Sequence, residues 1–287
     1  MDLRCKLNNG KFTVTVEVDP PRGWNPTPTL EQVRCLQGYV DAINVADCPM
    51  ANLRMSPIAL AHLVQEVLGV ETVFHLTCRD RNVLGLQAEL LGAAALGVKN
   101  LLALSGDRPE RGDHASAMPV YEVDSTGLVA LASKLNQGLC YAGRPLDCPT
   151  QFFIGVAVNP NAVVSSDVEL AKLKAKVEAG ARFAQTQPVF DVEVVEQFHR
   201  IAEGLGLKVL YGVLPLKSSK SMNYLKAKVP GIVIPKEVEE RMLKGSPNEG
   251  LKIGAELISQ IRRLGRSVHL FPIGDPLLAV KVLELAG

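Results

Sequence analysis

One acidic side chain interrupts an apolar segment near the start of the sequence. Glu17 lies between Val16 and Val18, and in a strand, whose side chains alternate between two faces, it would point away from both valines. If that face lines a cavity, loss of water would raise the pKa of the Glu17 carboxyl and suit it to general acid–base catalysis near neutral pH. The equally weighted alternative is a buried structural glutamate paired with a basic group such as Arg22 or Lys11.

Further polar side chains follow other apolar segments. Asp107 comes directly after Ser105 and Gly106, and a glycine at that point permits close approach of a ligand to the backbone. A turn-capping role is the alternative for Asp107. Taken singly, His75 is better explained as a core histidine and Lys176 as a solvated charge, whereas Gln187 could cap a strand end as easily as bind a heterocycle. Their meaning therefore depends on which elements bring them together.

Short segments rich in β-branched residues recur along the whole chain, and each is followed by a segment with helical periodicity. Alternating strands and helices predict a parallel sheet, because a parallel neighbour requires a crossover connection. Eight strands are predicted, over residues 12–18, 40–46, 72–78, 100–105, 152–159, 182–189, 209–215 and 268–273. Each candidate named above lies in a strand, directly after one, or on the helix that follows.

Eight such units in 287 residues, with no break in composition, favour an α/β fold that is a single (β/α)8 TIM barrel over residues 1–287. An open doubly wound sheet is the less favoured alternative, and no Gly-x-Gly-x-x-Gly follows the first strand to support dinucleotide binding of that kind. The long connection over 229–247 is predicted to hold an extra helix at 236–244, between strands seven and eight. A barrel would gather the candidates at the carboxyl ends of its strands.

Composition excludes several classes of protein. Lys plus Arg number 31 and Asp plus Glu number 30, and no basic block occurs, so nucleic acid is not an expected partner. No apolar run approaches the ~18 residues of a membrane span, and the first residues do not resemble a secretion signal. The six cysteines include no Cys-x-x-Cys pair, which favours reduced thiols, no metal site and a cytoplasmic location.

Five motifs, in order, resemble the methylenetetrahydrofolate reductase family, whose members are flavoprotein barrels of one-carbon metabolism. The resemblance covers nearly the whole chain. Its motifs are Glu-Val-Asp-Pro-Pro-Arg at 17–22, His-Leu-Thr-Cys at 75–78, Gly-Asp-Arg-Pro at 106–109, Lys-Val-Glu-Ala-Gly-Ala at 176–181 with Thr-Gln at 186–187 and Phe-Asp at 190–191, and Gly-Val-Leu-Pro at 212–215.

The resemblance implies reduction of 5,10-methylenetetrahydrofolate to 5-methyltetrahydrofolate by hydride from a reduced flavin. Glu17 matches the general acid of the family, Asp107 matches the aspartate that stabilises a cationic iminium beside the flavin, and Gln187 matches the glutamine that contacts the pterin. The cofactor would be FAD, with FMN as the alternative. The residues in segments that hold the flavin are His75, Thr77, Ser105, Gly106, Asp107, Asn159 and Lys176.

Several positions depart from the family pattern. Ser105 stands where an arginine is common, and the fifth-strand segment is short, which leaves FMN open. Leu225 and Ser221 stand near the places of a phenylalanine and a glutamine that serve nicotinamide and folate. The electron donor is therefore either NAD(P)H or an iron–sulfur or zinc-containing partner subunit, and an oligomer is expected.

Two rival functions remain open at this point. One is a barrel methyltransferase that uses a pterin or corrinoid carrier without redox chemistry, and the other is a subunit that binds folate or flavin without catalysis.

Overall fold

The fold is a closed barrel of eight parallel strands, as predicted. The computed structural model describes residues 1–229, 231–245 and 248–287. Each strand pairs with the next along the chain, and the first pairs with the last. The strands are β1 (Val14–Val18), β2 (Ala42–Val45), β3 (Glu71–Thr77), β4 (Asn100–Leu104), β5 (Phe153–Val158), β6 (Phe183–Pro188), β7 (Lys208–Val213) and β8 (Ser267–Leu270).

Helices surround the barrel and connect its strands. They are α1 (Leu3–Asn8), α2 (Thr27–Val33), α3 (Pro57–Leu68), α4 (Val83–Ala95), α5 (Ser125–Asn136), α6 (Pro160–Ser165), α7 (Asp167–Ala179), α8 (Val192–Gly204), α9 (Ser219–Lys228), α10 (Lys236–Lys244), α11 (Glu249–Arg263) and α12 (Pro276–Ala286). None of the described helices is both long and apolar enough to span a bilayer.

The connection between β7 and β8 carries more structure than the sequence indicated. The extra helix predicted at 236–244 is confirmed as α10, and α9 precedes it without having been predicted. A capping box between Ser218 and Ser221 fixes the start of α9, in a segment that has little apolar periodicity. The predicted connection extended to Pro247, which lies outside the described residues, as do Pro230 and Ser246.

Apolar side chains fill the lower part of the barrel, towards the amino ends of the strands. Phe153 and Phe183 stack there with ring centroids 4.7 Å apart, and α1 closes the bottom with Leu3 and Leu7. A Cβ at Gly155 would lie 2.2 Å from Cζ of Phe183, so the stack requires a glycine at that position. Because this layer is filled, polar side chains and ligands have room only at the carboxyl ends of the strands.

Candidate active site

A cavity of about 270 Å³ opens at the carboxyl ends of the strands. Its walls combine ionisable and amide side chains with apolar ones, which is the usual composition of a small-molecule site. Four of the predicted site residues line it, one each from β1, β3, the loop after β4, and β6, and these are Glu17, His75, Asp107 and Gln187. The barrel therefore brings together side chains that are up to 170 residues apart in the sequence.

Glu17 points into the cavity, and its neighbour there is a histidine from the last strand. Nε2 of His269 lies 3.9 Å from a carboxylate oxygen of Glu17, and the His269 side chain is 1% exposed. Nδ1 of His269 is 2.8 Å from the hydroxyl oxygen of Thr15. The ring of Phe271 packs edge-on against His269 at a centroid distance of 4.5 Å. These two contacts fix the ring so that Nε2 faces Glu17.

The predicted direction of the Glu17 pKa shift was wrong. Burial does raise the pKa, as expected, but His269 and the nearby His75 lower it by more, and the net pKa lies below its ordinary value. The proposed structural partners were also wrong, because Arg22 pairs instead with Asp113, and it is His269 that faces Glu17. A carboxyl of this kind is ionised at neutral pH.

His75 lies deep in the same cavity and is 4% exposed. Its Nε2 is 3.0 Å from Nδ2 of Asn44, and that amide also donates to Oε1 of Gln185 at 2.7 Å. Burial lowers the pKa of His75 to about 4, against smaller opposing effects of nearby carboxylates such as that of Glu17. His75 is therefore a neutral ring at physiological pH, able to donate from one nitrogen and accept at the other.

Thr77 is held by a carboxylate that follows the neighbouring strand β2. Asp47, at the end of β2, accepts hydrogen bonds of 2.9 Å from both the amide and the hydroxyl of Thr77. The same carboxylate pairs with Arg81 at 2.8 Å, and the Asp47 side chain is 1% exposed. The Thr77 hydroxyl thus contacts Asp47, and Thr77 itself does not line the cavity.

Asp107 is positioned through its backbone. Its carbonyl accepts hydrogen bonds from the hydroxyl of Tyr121 at 3.0 Å and from Nη1 of Arg79 at 3.4 Å. Gly106 has a φ of +89°, and a Cβ there would lie 2.9 Å from Cβ of Thr77, so the predicted close approach is to a protein side chain. The Asp107 side chain is 41% exposed, its Oδ1 pairs with Nη1 of Arg111 at 3.4 Å, and Asp107 lines the cavity.

Some buried amide groups of the site lack a partner. Among the described residues, no hydrogen-bond partner is found for Oε1 of Gln187, Nε2 of Gln185 or Oδ1 of Asn44. Such groups cost free energy unless something satisfies them. Gln185 and Gln187 both line the cavity beside apolar walls that include Leu102, Leu104 and Phe271. A flat heterocycle with polar edges, such as a flavin or pterin ring, fits this combination.

Besides Thr77 and Gly106, three more of the predicted flavin residues lie outside the cavity wall. The Ser105 hydroxyl accepts from the amide of Ser125 at 3.3 Å, and Asn159 donates to the carbonyl of Gly231. Lys176 is half-buried on α7, where Nζ approaches the carbonyl of Ala157 at 3.4 Å. Within the described ranges Lys176 forms no ion pair, and burial lowers its pKa. An ammonium group in this state is suited to an anion such as a phosphate.

Two residues of the site were missed in the sequence. His269 and Arg79 both line the cavity, but one is a single histidine in a short apolar strand and the other follows the third-strand motif as an ordinary charge. Pairing of β1 with β8 places Thr15 opposite His269, and this pairing is the structural reason that Glu17 and His269 meet. In the described part of the chain, no group of three or more His, Cys, Asp or Glu side chains is arranged to hold a metal.

Comparison with known structures supports the fold. A protein from Clostridium thermocellum, described as binding two copies of 5-methyl-5,6,7,8-tetrahydrofolic acid, superposes with a TM-score of 0.65 over 99% of this chain and 97% of its own, at 13% identity. A 2,3-dimethylmalate lyase superposes with a TM-score of 0.55 over 98% of this chain and 81% of its own, at 10% identity. At these identities the likeness shows the barrel fold alone.

Comparison of sequences goes further. A probable methylenetetrahydrofolate reductase (NADPH) of Caenorhabditis elegans is 28% identical over 95% of this chain, which spans only 42% of that protein's length. The 5,10-methylenetetrahydrofolate reductase of Pectobacterium carotovorum is 24% identical over 97% of this chain and 91% of its own length. The sequence pattern that defines the family described as methylenetetrahydrofolate reductase matches residues 2–287. The chain therefore belongs to the methylenetetrahydrofolate reductase family.

Proposed function

We propose that this chain reduces 5,10-methylenetetrahydrofolate to 5-methyltetrahydrofolate with the help of a bound flavin. The observation that carries the proposal is that Glu17, Asp107 and Gln187 line one cavity in a chain that matches the reductase family from end to end. These are the three residues whose counterparts act on the folate in that family. The flavin, when bound, supplies the hydride.

Each of the three residues has a distinct task in this reaction. Glu17 delivers a proton to the nitrogen that leaves the methylene carbon when the five-membered ring opens. Asp107 provides a negative charge that stabilises the cationic iminium produced by ring opening. The unpartnered Oε1 of Gln187 accepts a hydrogen bond from the pterin ring, which satisfies a buried acceptor and orients the substrate.

The cofactor residues form two groups. His75 and Asp107 line the cavity and would contact the flavin ring, whereas Thr77, Ser105 and Gly106 shape the loop wall behind it. Lys176 and Asn159 lie at the β5 side, where Lys176 would bind a flavin phosphate. FAD and FMN both supply that phosphate, so the choice between them is part of the test.

The electron donor is either NAD(P)H or an iron–sulfur or zinc-containing partner subunit, and the reductase is proposed to work as an oligomer in the cytoplasm. Anaerobic spectroscopy separates these cases. Purified protein reconstituted with FAD or FMN should lose flavin absorbance when 5-methyltetrahydrofolate is added. Bleaching by NADH or NADPH as well would establish a self-sufficient enzyme. If the folate bleaches the flavin but neither NADH nor NADPH does, electron delivery is assigned to a partner.

Two variants sharpen the test. Glu17→Gln should retain flavin and lose at least roughly 10²-fold in the rate of bleaching by the folate, since a positioned proton donor contributes about 10² to 10⁴. Glu240→Gln is the matched control, because Glu240 is an exposed carboxylate in a surface ion pair with Lys244. A flavin-free protein that transfers methyl groups would support the methyltransferase alternative instead. Flavin binding without bleaching, unchanged by Glu17→Gln, would support a non-catalytic subunit.

A further inference from the structure

The lowered pKa of Glu17 raises the question of where its proton comes from. A carboxyl that is ionised at neutral pH holds no proton to give, yet ring opening requires one at the leaving nitrogen. The source must be a group that can hold a proton at neutral pH and that reaches the carboxylate. Besides Glu17, the charged and titratable groups around the cavity are Asp47, Cys48, His75, Arg79, Asp107 and His269, and the Cys48 thiol donates to the carbonyl oxygen of Arg54 at 3.8 Å.

Only one of these groups meets both conditions. Arg79 does not release its proton in proteins and donates to Asp80 from two of its nitrogens. His75 has a pKa of about 4 and carries no exchangeable positive charge near neutrality. Asp47 and Asp107 are carboxylates that would need a proton themselves. His269 remains, with Nε2 directed at Glu17 from 3.9 Å.

We propose that Glu17 and His269 act as one proton-donating pair, in which the imidazolium of His269 supplies the proton that Glu17 passes to the substrate. The inference rests on the proposed reductase function. His269 acts through Glu17 and is therefore a positioning and proton-supplying residue.

The proton transfer balances without any further reactant. The Nε2–H bond of His269 breaks as an O–H bond forms on Glu17, and Glu17 passes a proton to the leaving nitrogen of the folate. The pair of electrons from the breaking carbon–nitrogen bond forms the new N–H bond, and the lone pair of the other nitrogen forms the iminium. His269 ends neutral and regains a proton from solvent after the product leaves.

The Thr15 hydroxyl determines which ring nitrogen of His269 exchanges the proton. In the imidazolium Nδ1–H donates to Oγ1 of Thr15, 2.8 Å away, and the neutral ring left after transfer keeps that same hydrogen bond. The proton that moves is therefore the one on Nε2, on the side of Glu17. The 3.9 Å separation exceeds the ~2.6–3.2 Å needed for transfer, and such contacts commonly shorten when substrate binds.

Single-turnover measurements on the flavin-loaded protein test the pair. Flavin is reduced chemically, mixed with 5,10-methylenetetrahydrofolate, and its reoxidation is followed as a function of pH. The wild-type rate should fall as the pH rises, because the pair then holds fewer protons to supply. In the reverse direction, with oxidised flavin and 5-methyltetrahydrofolate, the rate should fall as the pH drops, because the pair must then accept a proton.

His269→Asn should slow the forward and the reverse reaction by roughly 10²-fold or more. It should also abolish the pH dependence of both rates. Thr15→Val should slow both reactions by about tenfold or less, because it removes only the orienting hydrogen bond. The double variant Glu17→Gln with His269→Asn should be no slower than Glu17→Gln alone, since residues that act as a unit are not additive. Glu240→Gln again serves as the surface control.

A second readout does not depend on activity. Nitrogen-15 NMR of the His269 ring reports on each ring nitrogen, and Glu17→Gln should change the signal of Nε2, which faces Glu17, whereas Glu240→Gln should leave it unchanged. Wild-type protein that reacts with folate while His269→Asn keeps the same rate and pH profile would overturn the pair and leave the reductase function intact. Absence of any folate reaction in the wild type would instead overturn the proposed function itself.

Discussion

Acidification should destabilise this protein through His75 before it affects any buried carboxylate of the site. The His75 ring is 4% exposed, and burial lowers its pKa from 6.5 to about 4. Below pH 6.5 the unfolded chain binds a proton at this ring and the folded chain does not. The free energy of unfolding therefore falls as the pH drops, and the loss continues until the folded ring is protonated near pH 4.

The size of the effect follows from the shift. A difference between 6.5 and about 4, at 1.36 kcal/mol per pKa unit, corresponds to a loss of about 3 kcal/mol between neutrality and pH 4. Glu17 contributes in a lower range, because its pKa is depressed below the ordinary 4.5 and its stabilising charge is lost only as the pH falls through that depressed value. As the pH drops, the titration of His75 and the titration of Glu17 both lower the free energy of unfolding, and they do so in different pH ranges.

Urea unfolding of wild type and His75→Gln at several pH values between 8 and 4 measures the difference directly. The gap in stability between the two proteins should be constant above pH 7 and should narrow by about 3 kcal/mol from pH 6.5 to pH 4. Phe74→Leu is the matched control, because it removes packing from a fully buried neighbour without removing a titrating group. If His75→Gln and wild type lost stability in parallel over this range, the assignment of His75 as a buried neutral ring would be refuted.

Three further substitutions have defined outcomes. Asp47→Asn should lower the free energy of unfolding by roughly 3 kcal/mol, because it leaves Arg81 without its buried partner; thermal unfolding measures this. Gly112→Ala should lower the melting temperature, since the added Cβ would lie 1.9 Å from the carbonyl oxygen of Ala51 and the two loops would have to separate at a cost of ~1–3 kcal/mol. Lys176→Met should leave stability unchanged or higher, because it removes a desolvated charge, and should raise the dissociation constant for FMN at least tenfold in a fluorescence titration. Unchanged FMN affinity would count against a phosphate at Lys176.

The barrel was predictable because its evidence is local. Each strand has its own apolar, β-branched segment, and the predicted bounds agree with the structure to within about two residues at nearly every end, as at β4 and β6. The helix α10 was predicted at its observed bounds for the same reason. The helix α9 was missed because a serine capping box, not an apolar stripe, defines it, and capping patterns are weak signals without a periodic segment behind them.

Parts of the site were not predictable because they depend on closure of the barrel. The partner of Glu17 was sought among nearby basic residues, yet it is His269, which lies on the adjacent strand only because β8 pairs with β1. The direction of the Glu17 pKa shift was wrong for the same reason, since burial is visible in the sequence and a neighbour 252 positions away is not. The bounds of single strands followed from the sequence, whereas the contacts between the first and last strands required the structure.

The two carboxylates of the proposed mechanism are supported in ways that suit their different tasks. Glu17 and His269 both lie on paired strands of the barrel, where backbone hydrogen bonds limit the movement needed to bring their side chains from 3.9 Å to hydrogen-bond distance. Proton transfer needs such precision, because it fails beyond hydrogen-bond distance. Asp107 lies on a loop whose carbonyl is held by Tyr121 and Arg79. Charge stabilisation of an iminium weakens only gradually with distance, so a loop residue can perform it. A loosened loop, as in Tyr121→Phe, should therefore reduce the folate reaction severalfold and leave its pH profile unchanged, whereas loss of His269 changes the profile itself.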